Sequence, residues 1–140
     1  MNFENFKRPQ HSLETINAIH EEENTIPNGA QINVLDDNKN VIGYIRRFYM
    51  GLTGYWCGYI YLKDTKWENE PDLNPNDLDF EDEFPENMIQ ELTFQSDDVV
   101  GWDHNHWWDI KSKLNYTTNE IVINEVHFMH YLAQNYGVKK

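Results

Sequence analysis

The sequence predicts a single α+β domain over residues 1–140: an antiparallel sheet of about five strands, with N-terminal and C-terminal helices packed on one face. Three observations carry that prediction. Runs rich in β-branched and aromatic residues recur in the middle of the chain, turn residues separate them, and helical periodicity is confined to the two ends. With 39% apolar and 14% aromatic residues, a chain of 140 residues can bury one core.

Taken in order, His11 to Glu23 places Leu13, Ile16 and Ile19/His20 at helical spacing, with Ser12 as N-cap and Pro27-Asn28-Gly29 as the stop. Gln31–Leu35 and Val41–Phe48 then read as a hairpin joined by Asp36-Asp37-Asn38-Lys39-Asn40. Tyr55 to Leu62 is the most strand-like run, preceded by a turn region at Gly51 and Gly54. Met88 to Phe94 and Val99 to Trp102 make a further antiparallel pair around Ser96-Asp97-Asp98. At the end, Thr117-Thr118-Asn119-Glu120 reads as a capping box, and Val122, Val126, Met129, Ala133 and Tyr136 follow at spacings of three or four. Gly137 is the expected C-cap, with Lys139-Lys140 suited to the negative end of the helix dipole.

The charge is unusual: 24 acidic against 11 basic residues give −13. Binding to nucleic acid or an anionic membrane surface needs a basic footprint, so this balance argues against both. No apolar run reaches the roughly 18 to 20 residues of a membrane span. The lone cysteine, Cys57, excludes an intramolecular disulfide and fits a reducing, cytoplasmic setting. Between Glu68 and Glu86 lie nine acids, among them Asp72, Asp77, Asp79, Glu81, Asp82 and Glu83, with no Lys or Arg. Pro71, Pro75 and Pro85 punctuate the same stretch, which reads as a long acidic loop over about residues 66–87. Its Asp72, Asn74, Asn76 and Glu83 approach a calcium loop, but Asp77 stands where the sharp turn needs Gly, and the flanking prolines oppose the paired helices.

The densest titratable cluster is Gly101 to Asp109, holding Asp103, His104, His106 and Asp109. In extended chain His104 and His106 share a face and could hold zinc or another divalent metal, with a carboxylate or the Cys57 thiolate completing the set. Against that, Trp102, Trp107 and Trp108 suggest a packed corner whose histidines serve structure or partner contact. His127 and His130 form a second pair one helical turn apart. The seven glycines form no phosphate-cradling loop.

Gly54-Tyr55-Trp56-Cys57-Gly58-Tyr59-Ile60, Leu92-Thr93-Phe94, Gly101-Trp102-Asp103-His104-Asn105-His106 to Asp109, and a final helix carrying Glu125 together resemble a family of small, largely uncharacterised phage-associated and bacterial proteins. Its pattern runs roughly C-G-Y-V, then G-G-L-T-F, then G-F-D-C-A-H-x-x-D, then a helix with a Glu. His104 replaces the family's Cys, Gln90-Glu91 replace its glycine pair, and the His-Pro step expected near Lys66-Trp67 is absent. The resemblance implies an origin in phage or mobile elements and brings no settled activity.

Three functions follow as expectations. The first is an accessory protein that inhibits a host nucleic-acid-binding or defence protein, an anti-CRISPR-like factor for example, with a mimetic surface formed by the acidic residues together with Trp107 and Trp108. It needs no catalytic residue, cofactor, direct nucleic acid or membrane, and leaves the oligomeric state open. The second is a binding module for a small molecule such as a nucleotide signal, stacked on exposed members of Trp56, Trp67, Trp107, Trp108 and the tyrosines. The third is a small metal-dependent hydrolase in which Asp103, His104, His106 and Asp109 hold the metal and Glu125 is the base, or in which Cys57 pairs with His106.

Overall fold

The computed structural model describes residues 12–50, 53–69, 92–96, 98–104 and 118–137. Helix α1 (Leu13–Glu23) starts where expected, with Ser12 accepting a hydrogen bond from the Thr15 amide. Strands β1 (Gln31–Leu35), β2 (Val41–Met50), β3 (Thr53–Tyr61), β4 (Phe94–Gln95) and β5 (Val99–Asp103) precede helix α2 (Asn119–Asn135). The sheet is antiparallel throughout, in the order β1-β2-β3-β5-β4. This is the α+β architecture that the sequence predicts, a five-stranded sheet with helices packed on it.

Strand alternation sorts the sheet into two faces. Ile45, Trp56, Ile60, Val100 and Trp102 point toward α2 and pack against Val122, Val126, Met129 and Leu132 to form the core. The contact is close at Gly43, where an added Cβ would strike the Tyr59 carbonyl and come within 2.9 Å of Val126 Cγ1. Gly43→Ala must therefore push strand and helix apart, and its expected cost is about 1–3 kcal/mol, readable as a lower denaturation midpoint with an unchanged slope.

Several local expectations are corrected. Gly54 lies within β3 against the Arg47 guanidinium rather than in a turn. Only Phe94 and Gln95 of the Met88–Phe94 run and its flank are strand; residues 88–91 lie outside the described residues. The N-cap of α2 is Thr118, whose hydroxyl accepts from the Ile121 amide, so Glu120 sits one place too early to close a capping box. Gly137 is not the C-cap either. Tyr136 ends the helix in extended conformation, and the last carbonyls are taken by the segment after β3: Lys66 N donates to Ala133 O, Lys66 Nζ to Asn135 O, and Trp67 Nε1 to Tyr136 O. A tertiary partner thus does what a local αL residue would have done. Helix α1 is a loose attachment, since Leu13 is 52% exposed and Glu23 is its buried foot.

Candidate functional site

Helix α2 buries a continuous stripe: Ile121, Val122, Glu125, Val126, Phe128, Met129, Leu132 and Ala133. Glu125 sits in it with 0% exposure, a position that would normally suit Leu. Its carboxyl group is accommodated there by polar partners from β5 and the residue after it. His104 Nε2 lies 2.6 Å from Oε1, a separation that requires a proton between them, and Trp102 Nε1 donates to the same oxygen at 3.3 Å. The second oxygen, Oε2, has no hydrogen-bond partner among the described residues. Glu125 and His104, both drawn from the sequence's candidate set, thus come together inside the core.

Cys57 does not join them. In β3 the Trp56 and Ile60 side chains take the helix side, and between them the Trp102 ring fills the space where a Gly58 Cβ would be. Tyr55, Cys57, Tyr59 and Tyr61 therefore point the other way, and the sheet itself stands between Cys57 and Glu125. Burial, and then the Asp103 charge beside it, push the Cys57 thiol up to about 12, which keeps it protonated and a poor nucleophile at neutral pH. Asp103 and His104 also diverge, because consecutive residues at the end of β5 face opposite sides: Asp103 lies by Cys57, His104 by Glu125. Among the described residues no group of three or more His, Cys, Asp or Glu is placed to hold a metal ion. His106, Trp107, Trp108 and Asp109 lie outside the described residues, as do Asp72, Asp77, Asp79, Glu81, Asp82 and Glu83.

Trp56 and Trp67 are completely buried and cannot form a stacking surface. The rings on the open side of the sheet are instead Tyr44, Phe48, Tyr55, Tyr59, Tyr61 and Phe94, partly exposed and in mutual contact. Tyr44 and Tyr59 stack at 4.5 Å, Phe48 and Tyr55 tilt at 6.1 Å, and Phe94 meets Tyr59 edge-on at 5.9 Å. Between the rows, Cys57 is flanked in register by Arg46 on β2 and Asp103 on β5. A cleft of about 260 Å³ opens there. The Tyr59 phenol is raised well above its ordinary value, by burial first and the neighbouring thiol second, so it stays a neutral donor.

A second buried polar cluster holds none of the candidate residues drawn from the sequence. Glu23, at the end of α1, accepts from Trp56 Nε1 at 3.1 Å, from the Asn119 amide at 3.0 Å and from Arg47 NH1 at 3.4 Å. It thereby ties α1, two strands and the first turn of α2 together, its negative charge meeting the positive end of that helix. Arg47 is wholly buried, with its guanidinium over the Tyr49 and Trp56 rings. The one sequence signal was Arg47 alternating with Ile45 on a strand, which places it inward.

His127 and His130 on α2 are held below their ordinary pKa, chiefly by burial, with Asp36 of the β1–β2 turn opposing that shift in both. Among the described residues, no helix is long and apolar enough to cross a membrane. No family model matches the chain, and neither curated proteins nor solved structures give a significant match.

Proposed function

We propose that this protein acts by binding rather than by catalysis, and that its acidic segment occupies the basic surface of a nucleic-acid-binding protein, such as a host defence factor. The observation that carries this reading is where the charge lies. From Trp67 to Ile110 there are fourteen acids and no Lys or Arg, while the remaining residues hold ten acids and eleven bases. The whole net charge therefore belongs to one continuous part of a body that is otherwise near neutral. A field of that kind steers a basic partner and competes with a phosphate backbone.

The anchoring of Trp67 and Lys66 on the end of α2, and the Thr93 amide on Gly101 O, support the reading from another direction. They tie both approaches to the acidic stretch onto the folded core, so that its carboxylates are presented from a fixed base. The sheet separates Cys57 from Glu125, so these two do not share one site, while the pairing of Cys57 with His106 falls outside the described residues.

The test is retention of basic nucleic-acid-binding proteins on the immobilised chain. Retention is expected at about 0.05 M salt and release at about 1 M, where the Debye length falls to about 3 Å. The retained protein should lose its nucleic-acid binding in proportion to the amount of this protein added. Changing Asp77, Asp79, Glu81, Asp82 and Glu83 to their amides should abolish both effects. Full inhibition by that variant would sink the proposal.

A further inference from the structure

We propose that the cleft on the aromatic side of the sheet binds a methylated ammonium group, held by cation–π contact with four rings and by the charge of Asp103. Of the acids between Trp67 and Ile110 the inference uses Asp103 alone, and none of Asp72 to Glu83. Its walls include Phe48 from β2, Tyr55 and Tyr59 from β3 and Phe94 from β4, with Cys57 and Asp103 also in the lining. Rings from three strands around one carboxylate supply both requirements of such a cation: polarisable faces for its methyl groups and a compensating charge.

Size favours a head group over a larger ligand. At about 260 Å³ the cleft is smaller than the roughly 300–1,000 Å³ of sites that enclose drug-sized molecules, which leaves little room for a nucleotide. Charge favours a cation. Among the described residues no Lys or Arg lines the cleft; the neighbouring Arg46 lays its guanidinium over Phe48, 5.2 Å from the ring centre, so a bound cation competes with it for that ring. Tyr55 and Cys57 are both pushed up in part by Asp103, while Arg46 pulls Cys57 and Tyr59 the other way, so the negative charge belongs to the β5 side of the cleft, where a cation would sit.

Methylation is favoured because a primary ammonium is strongly hydrated and must replace its water with several acceptors, whereas these walls are mostly rings. The group could belong to a free molecule such as choline or to a trimethylated lysine side chain of another protein.

The experiment is an amide chemical-shift titration of the full chain with three probes: choline, its uncharged isostere 3,3-dimethylbutanol, and a trimethyllysine peptide beside its unmodified form. Choline is expected to shift signals of the cleft residues saturably in the millimolar range, and the uncharged isostere to bind at least about tenfold more weakly. Asp103→Asn should weaken choline about three- to tenfold and leave the isostere unchanged. Phe94→Ala, at a ring 48% exposed, should weaken choline while leaving the circular dichroism spectrum intact. Tighter binding of the modified peptide than of choline identifies a protein tail as the source; equal affinities identify a free cation. Equal binding of choline and its isostere, or no saturable shift with either cationic probe, overturns the proposal.

Discussion

Glu23→Ala is expected to lower the unfolding free energy by about 3–5 kcal/mol, a large share of the roughly 5–15 kcal/mol that holds a domain of this size. The reason is that one carboxylate serves three elements. It faces the buried Arg47 guanidinium, accepts from Trp56 Nε1, and accepts the Asn119 amide at the start of α2. Truncation strips a carboxylate from a guanidinium with no solvent exposure and takes the acceptor from the wholly buried Trp56 indole and from the Asn119 amide. Urea denaturation followed by tryptophan fluorescence measures the loss. A companion variant, Glu23→Leu with Arg47→Met, separates the ion pair from the helix contact. Replacing both charges by apolar groups should recover part of the stability, whereas the Asn119 amide stays without its acceptor. Full recovery would mean that the contact with α2 contributes nothing.

The second large effect is expected at Glu125. Glu125→Ala opens a cavity in the stripe between α2 and the sheet and takes the hydrogen-bond partner away from Trp102 Nε1 and His104 Nε2, at an expected cost of about 3–5 kcal/mol. Glu125→Gln keeps the shape and one acceptor oxygen, so about 1–2 kcal/mol is expected. Near-ultraviolet circular dichroism should report the altered Trp102 environment in both variants. Equal losses for Ala and Gln would show that charge, not packing, dominates the site, and a loss below about 1 kcal/mol for Ala would show that water already serves these donors.

The periodic elements were legible in the sequence because their signals are local. Gln31–Leu35 matches β1 residue for residue, and Val122, Val126, Met129 and Ala133 do form the buried stripe of the last helix. Glu125 falls in that stripe too, between Val122 and Met129, but reading it as buried requires knowing that Trp102 and His104 arrive from β5 to hold its carboxylate. The capping of α2 failed for the same kind of reason. Thr118 hydroxyl geometry shifted the start by one residue, and Lys66 and Trp67, from a segment distant in sequence, took the carbonyls that Gly137 was expected to close over. Glu23 gave no signal at all, being the last of three consecutive acids on a short, exposed helix.

By itself, the sequence determined the order of strands and helices and the confinement of negative charge to one stretch, because both depend only on residues adjacent in the chain. Only the tertiary structure decided which side of the sheet each candidate residue occupies. Alternation assigns residues to two faces without saying which face the helix covers, and that choice is made by packing. Once α2 settles on the side of Trp56, Ile60 and Trp102, His104 and Glu125 become core, while Cys57 and Asp103 fall to the aromatic cleft behind them.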